Sequence, residues 1–263
     1  MAKIGIIGVG VVGKAMKEGF KNVHKLFLHD PILDTKLENL IEKTNFWYIA
    51  VPTPSDIETG ECDISIVESI LKEMPDNYSI IIKSTIIPGT TKYLQEKYPK
   101  LKIGCSPEFL RSATSEYDFK NQDLLVVGTE DSQLANDVLM HHREADVFRS
   151  DKFFHVSPTQ AELVKYAKNS FYSMKVIFAN MFHELSENHG EDWNIIKKII
   201  TTPQEQIIGP SHLSSPDNGQ RGFGGECLPK DTLALKIHLE KMGVKYKIIN
   251  AVIEDNDELR KRN

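Results

Sequence analysis

Cysteine is scarce in this chain: positions 62, 105 and 227 are the only three in 263 residues, and none forms a C-x-x-C pair. A disulfide framework and a zinc knuckle are both disfavoured, no metal is expected, and a reducing, cytoplasmic setting fits best. An excess of positive charge is also missing, with 32 Lys and Arg against 37 Asp and Glu and a formal net charge of -5. Nucleic acid is therefore not expected as a partner, because phosphate backbones want a basic surface. No apolar run is long enough for a membrane span. The opening M-A-K-I-G-I-I-G-V-G is broken by glycines within a few residues, which argues against a signal peptide. Internal repeats and low-complexity segments are absent.

What is present is an alternation. Short β-rich runs at 3–9, 25–30, 46–52, 78–85, 102–106 and 123–129 are interleaved with amphipathic stretches at 11–22, 64–74, 89–97 and 132–143. Near-continuous apolar strands separated by helices predict an α/β fold, a doubly wound parallel sheet covered on both faces. After about residue 157 the rhythm becomes all-helical. Ser157-Pro158-Thr159-Gln160 reads as a helix start, with a Ser cap, Pro at the first position and Gln three residues after the cap. Two domains are expected, 1–157 and 158–263. Helices are predicted from 158, from 193, at 231–242 and at 245–261, with a Gly- and Pro-rich loop over 202–229.

The first strand runs into Gly8-Val9-Gly10-Val11-Val12-Gly13 and then a helix. In that context Gly8 makes the turn, Gly10 admits a pyrophosphate and Gly13 lets helix pack on strand. Asp30, about twenty residues on, would hold a ribose 2′-hydroxyl and repel a 2′-phosphate, which favours NAD over NADP. Polar motifs close three further strands: Val51-Pro52-Thr53-Pro54, Lys83-Ser84-Thr85 and Ser106-Pro107-Glu108-Phe109-Leu110-Arg111. Open α/β sheets bind ligands at that edge.

On the long helix Leu163, Ala167, Phe171, Met174, Phe178, Met181 and Leu185 form an apolar stripe. Glu162, Lys165 and Asn169 lie roughly opposite, and periodicity alone makes them a solvated face. On the last helix Ile248, Ile249, Val252, Ile253 and Leu259 form an apolar stripe that predicts a homodimer. Finally, G-F-G-G-E-C-L-P-K-D at 222–231 sets Cys227 between a glycine turn and a Pro-Lys-Asp, unusual company for a packing cysteine.

Taken in order, G-V-G-V-V-G, V-P-T-P, K-S-T-I-I-P-G-T, S-P-E-F-L-R, A-E-L-V-K-Y-A-K-N and G-F-G-G-E-C-L-P-K-D resemble the nucleotide-sugar 6-dehydrogenases, the UDP-glucose and GDP-mannose enzymes. The resemblance implies a Rossmann domain followed by a helical central domain for dimerisation. It implies oxidation of the C6 alcohol of a nucleotide sugar, with UDP-glucose the leading substrate, by two NAD through a thiohemiacetal and a thioester on Cys227. Lys165 and Asn169 would stabilise developing oxyanion charge, while Asp231, Glu108 and Thr85 would position water and pass protons. Cofactor contacts would come from Gly8, Gly10, Val11, Val12, Gly13, Asp30, Pro52, Thr53 and Thr85. Sugar contacts would come from Phe109, Leu110, Arg111, Lys165, Asn169, Phe223 and Gly224.

Three features depart from that pattern. The family's third, nucleotide-gripping domain has no counterpart in these residues, Ser112 stands where the family has Glu, and Ile207 where it has Arg. Two alternatives therefore stay open. One is a single-hydride enzyme of the 3-hydroxyacid or 6-phosphogluconate type, which needs no nucleophilic cysteine. The other is a catalytically weak, NAD-binding dimeric module.

Overall fold

The structure, a computed structural model, describes residues 1–56, 61–202, 212, 220–241 and 247–262. Two compact units emerge, one of Met1–Pro54 with Cys62–Lys165, the other of Ser55–Glu61 with Tyr166–Asn263. The first unit contains β1 (Lys3–Ile7), α1 (Val11–Phe20), β2 (Lys25–His29), β3 (Phe46–Ile49), α2 (Ser65–Glu73), β4 (Ser79–Ile82) and α3 (Thr90–Lys97). It continues with β5 (Lys102–Cys105), α4 (Ser115–Lys120), β6 (Leu125–Gly128), α5 (Ser132–Glu144) and β7 (Phe153–Val156). The boundary falls inside α6 (Pro158–Asn188), and the second unit adds α7 (Trp193–Ile200), α8 (Cys227–Lys241) and α9 (Ile248–Lys261). No helix among the described residues is long and apolar enough to cross a membrane.

The seven strands run in the order β2-β1-β3-β4-β5-β6-β7. The reversal of order between β1 and β3 makes their carboxyl ends the switch-point crevice of a doubly wound sheet. Both faces are covered, because the central strands carry Ile on both. Trp47, Ile49, Ile80 and Ile82 pack with Val67 and Leu71 of α2 and Leu94 of α3. Ile4, Ile6, Tyr48 and Ile81 pack with Met16 and Phe20 of α1, Phe119 of α4 and Val138 of α5. Each such side chain contributes about 1.5–3 kcal/mol by leaving water.

The sheet is not wholly parallel. β5 meets β6 antiparallel at one pair, Cys105 with Gly128, and β6 then pairs parallel with β7. The edge strand β7 escapes the apolar pattern because its Phe154 is exposed.

Helix α6 starts as its sequence indicates. The Ser157 N–H donates to Gln160 Oε1 at 3.0 Å, and the Gln160 N–H donates to Ser157 Oγ at 3.3 Å. Its faces, however, are reversed from the expectation. Glu162, Lys165 and Asn169 are only 3%, 5% and 7% exposed, whereas Phe171 and Met181 of the apolar stripe are 57% and 56% exposed. The stripe on α9 also differs from the expectation. Ile249, Val252 and Leu259 are buried, with Val252 packed against Val176 and Phe223 of its own unit, and only Ile248 of the larger apolar residues stands out.

An aromatic cluster buries two histidines. His142 lies edge-on to Phe20 at 5.1 Å between ring centroids, and its Nδ1 is 2.8 Å from the Val138 carbonyl oxygen. Its Nε2 has no hydrogen-bond partner among the described residues. Burial lowers His142 from 6.5 to about 3 and His141 from 6.5 to about 4. The unfolded chain therefore binds these protons more readily. Their contribution to stability is full above pH 6.5 and is lost as pH falls, toward about 4 for His141 and about 3 for His142. Each adds a slope of about 1.4 kcal/mol per pH unit inside its window. His142→Leu should reduce by about that amount the pH slope of the urea-unfolding free energy across mildly acidic pH. An unchanged slope would contradict a neutral, buried imidazole.

Candidate active site

The glycine turn of the first unit is shaped by close contacts. Gly8 has φ +87, and a Cβ there would meet the Ala50 carbonyl oxygen at 2.4 Å, while a Cβ on Gly13 would lie 1.9 Å from the Gly8 oxygen. Only glycine lets α1 pack down on the turn. Gly10 differs, since a Cβ there meets nothing within 4 Å. Helix α1 begins at this clear space with no side-chain cap and no acidic residue in its first turn. Its N–H groups thus remain available to an anion. Val11 is exposed beside them and Val12 half-buried.

At the tip of β2, Asp30 Oδ2 accepts the Val9 N–H at 2.7 Å and Oδ1 accepts the Ile32 N–H at 2.9 Å. These bonds, Val9's foremost, hold the carboxyl below its ordinary range, so it is ionised. The residues fit a dinucleotide. Gly10 and the α1 N-terminus would hold the pyrophosphate, and Asp30 the ribose diol.

The loops closing β3 and β4 are stitched together. Thr53 Oγ1 donates to the Thr85 carbonyl oxygen at 2.6 Å, and Ser84 Oγ to the Val51 carbonyl oxygen at 2.7 Å. Thr53 is buried and Pro52 beside it exposed. Glu162 then ties down the turn that follows Thr85. It accepts the Gly89 N–H at 2.6 Å, the Thr91 N–H at 2.8 Å and the Thr91 hydroxyl at 2.6 Å. Burial raises the Glu162 carboxyl above its usual value, while these bonds oppose the rise.

After β5, Lys165 Nζ donates to Glu108 Oε1 and to the Glu108 carbonyl oxygen, both at 2.9 Å, while Glu108 Oε2 accepts the Leu110 N–H at 2.6 Å. Both side chains are nearly buried. Removing one partner of such a pair costs roughly 3–5 kcal/mol. Phe109 and Leu110 each pack against one of the two cores. Arg111 is exposed and grips Asp118 at two points, Nη2 to Oδ1 at 2.7 Å and Nε to Oδ2 at 3.1 Å, which lowers Asp118 to about 2. Ser112 opens a short 3-10 turn, Ser112–Thr114.

In the second unit, Asn169 Nδ2 donates to Asp231 Oδ2, and Lys230 Nζ lies 2.7 Å from Asp231 Oδ1. Asp231 is buried, and behind it the hydroxyls of Ser173 and Thr232 meet at 2.7 Å. Cys227 is exposed and is the first residue of α8. The helix therefore starts four residues earlier than its pattern suggests, because Pro229 falls in the first turn, where a missing N–H is harmless. A helix N-terminus favours the thiolate form. Phe223 is buried against Val176 and Val252, and Gly224 is half-buried. Ile207 lies outside the described residues.

The structure thus joins Glu108 to Lys165 in one unit, and Asn169 to Asp231 and Lys230 in the other. Among the described residues no cluster of His, Cys, Asp and Glu could hold a metal. One buried group had no role in the sequence reading. Lys83 Nζ donates to Ser106 Oγ at 3.1 Å, and burial lowers its ammonium to about 8, with the nearby Glu108 charge opposing. Its signal was a lysine closing the apolar run I-I-I.

Family models match most of the chain. The NAD binding domain of the UDP-glucose/GDP-mannose dehydrogenase family matches residues 30–146, and its central domain residues 159–258. A UDP-glucose 6-dehydrogenase of Rickettsia felis is 32% identical over 83% of this chain and 49% of its own length. One of Streptococcus pneumoniae is 30% identical over 97% of this chain and 72% of its own. The solved structure of a UDP-glucose dehydrogenase from Pyrobaculum islandicum superposes with a TM-score of 0.83 at 25% identity, over 98% of this chain and 68% of that one. The chain spans about half the length of the Rickettsia relatives it matches.

The glycine turn gives a paired prediction. Gly10→Val should leave the melting temperature nearly unchanged yet weaken NAD binding at least about tenfold, measured by calorimetric titration, since its side chain takes the anion's space. Gly8→Val should instead destabilise the fold itself. Equal effects of both on stability would contradict the geometry.

Proposed function

The chain belongs to the UDP-glucose/GDP-mannose dehydrogenase family, and from that premise we propose that it performs the NAD-dependent oxidation of the C6 alcohol of a nucleotide sugar to the carboxylate. UDP-glucose is the leading substrate and a reducing cytoplasm the setting. The functional division proposed is 1–157 for NAD binding and 158–263 for the helical part that carries the thiol, although the compact units themselves divide within α6, after Lys165. Bound NAD supplies the hydride acceptor for both oxidations.

The chain's own groups do the rest. Glu108, paired with Lys165, takes the hydroxyl proton as the alcohol becomes an aldehyde. Cys227 thiolate adds to the aldehyde carbon, forming a C–S bond while the carbonyl pair moves onto oxygen. Lys165 and Asn169 donate to that oxygen, which is protonated to give a thiohemiacetal. The second oxidation converts it to a thioester, losing the hydroxyl proton. Water held by Asp231 and Thr85 then attacks, and Cys227 leaves as thiolate from the carboxylate product. Phe109, Leu110, Arg111, Phe223 and Gly224 border the sugar.

The observation that carries this reading is the placement of Cys227. It is exposed at the first residue of α8, one turn before the buried Asp231 that bonds Asn169. A purely structural cysteine would be expected to be buried. The test counts NADH released per sugar for UDP-glucose, GDP-mannose and UDP-N-acetylmannosamine. Two per sugar are expected with one of them, and Cys227→Ser should lower complete oxidation on the order of 1,000-fold or more. One NADH per sugar, insensitive to Cys227→Ser, would instead support a single-hydride dehydrogenase.

The partner proposed is a second copy of the chain. Phe171, Met181 and Leu185 of α6 and Ile195 and Ile199 of α7 are all exposed within the second unit, and large exposed apolar side chains of this kind favour a protein partner. Sedimentation should give a dimer at micromolar concentration, shifted to monomer by Phe171→Glu combined with Met181→Glu. A monomeric wild type would sink this assignment.

A further inference from the structure

Residues 220–224, which lead into Cys227, are gripped from two sides within the second unit. On α9 the side chains of Val252, Asn256 and Arg260 recur every four residues and form one strip. Val252 packs on Phe223. Asn256 Oδ1 accepts the Phe223 N–H at 2.6 Å, and Arg260 Nη1 donates to Gln220 Oε1 at 2.9 Å. The approach is close. Gly222 has φ +75, and a Cβ there would meet Asn256 Oδ1 at 2.6 Å, while a Cβ on Gly224 would meet Arg260 Nη1 at 2.9 Å. From the other side, Asn180 Oδ1 on α6 accepts the Gly222 N–H at 3.2 Å. Arg221 meanwhile reaches Glu184 at 2.8 Å and Glu187 at 2.9 Å.

Asn180 and Asn256 are both buried in helices, where an apolar residue would pack more simply. A buried amide is tolerated when its polar atoms are paired. Each of these two accepts a loop N–H on its Oδ1, and Asn180 Nδ2 donates to the Val176 carbonyl oxygen at 2.8 Å. Two successive N–H groups of the loop are therefore taken by two different helices. Packing by Val252 alone would leave the loop free to rotate about that contact, whereas two directional bonds, at Gly222 and Phe223, set its heading just before the thiol.

We infer that Asn256 and Asn180 are positioning residues for the cysteine: they fix residues 222 and 223 so that α8 begins at Cys227 and displays its thiol. The inference rests on the reading of Cys227 as the nucleophile. It gives α9 a duty within one chain, as the backing of the glycine loop.

The decisive comparison is Asn256→Ala, which leaves the Phe223 N–H unpaired, with Asn256→Asp, which keeps an acceptor oxygen and has Arg260 one turn away to balance its charge. Alkylation of Cys227 by iodoacetamide at neutral pH, followed by peptide mass spectrometry, reads thiol display without any turnover. Asn256→Ala and Asn180→Ala should each slow this alkylation about tenfold, as the helix start loosens. They should lower kcat by about 10- to 100-fold with KM changed by less than about twofold, and Asn256→Asp should stay within about threefold of wild type on both readouts. Thermal melts confine the comparison to temperatures at which every variant is folded, and if Asn256→Ala does not fold, Asn180→Ala carries the test. Wild-type alkylation in the alanine variants, or an Asp variant as slow as the Ala variant, would overturn the inference. Slowed alkylation in a protein whose wild type oxidises no nucleotide sugar would overturn the proposed oxidation while supporting the positioning of the thiol.

Discussion

Helix α6 buries its polar edge, and a buried polar side chain must find a partner or cost several kcal/mol. That requirement organises the loops that carry the motifs. Ahead of the unit boundary, Glu162 holds the turn after Thr85 through Gly89 and Thr91, and Lys165 holds Glu108 by both its carboxylate and its carbonyl oxygen. Beyond it, Asn169 bonds Asp231, Ser173 meets Thr232, and Asn180 takes the N–H of Gly222. Each contact lies within its own unit. One helix thus sets the position of several loops, because the partners of Glu162, Lys165, Asn169 and Asn180 lie on segments outside it. A leucine in any of these places would pack, but it would orient nothing.

The charges gathered at the carboxyl ends of the strands are expensive in stability terms. Lys83, Lys165, Glu108 and Glu162 all sit in or near the interior of the first unit. Lys165 and Glu108 pair with each other, whereas Lys83 is held by the Ser106 hydroxyl and Glu162 by the Gly89 and Thr91 N–H groups and the Thr91 hydroxyl. Burial still lowers Lys83 to about 8 and raises Glu162. A fold selected for stability alone would replace such a set with apolar side chains at little loss. Perturbed, buried ionisable groups of this kind cluster at functional sites more often than in ordinary cores.

Much of this was legible in the sequence where the governing contacts are local. The glycine turn, the Asp30 carboxylate at the end of β2 and the reciprocal Ser157–Gln160 cap depend on neighbours along the chain, and they form as their residue types suggest. Helical periodicity found α6 but misjudged which edge faces inward. A hydrophobic pattern records which side chains share a face; burial depends on whether a distant residue satisfies the polar ones. The same limit explains α9. Its apolar stripe looked uncovered because Phe223 and Val176, which cover Val252, lie 29 and 76 residues away in sequence. The start of α8 was misplaced for a different reason. Pro229 reads as a break in the middle of a pattern, yet it is compatible with the first turn of a helix.

Composition, spacing and local turn chemistry therefore determined the α/β class, the glycine turn after β1 and the cap that starts α6. Only the tertiary structure decided that the polar edge of α6 is the buried one, that β6 runs against β5, that Cys227 opens a helix, and that Asn180 and Asn256 hold the loop before it. The physical reason is the range of the forces concerned. Backbone sterics and capping act over a few residues and are written in consecutive letters. The pairing of a buried amide or ion joins residues such as Glu108 and Lys165, or Phe223 and Asn256, whose meeting exists only once the chain has folded.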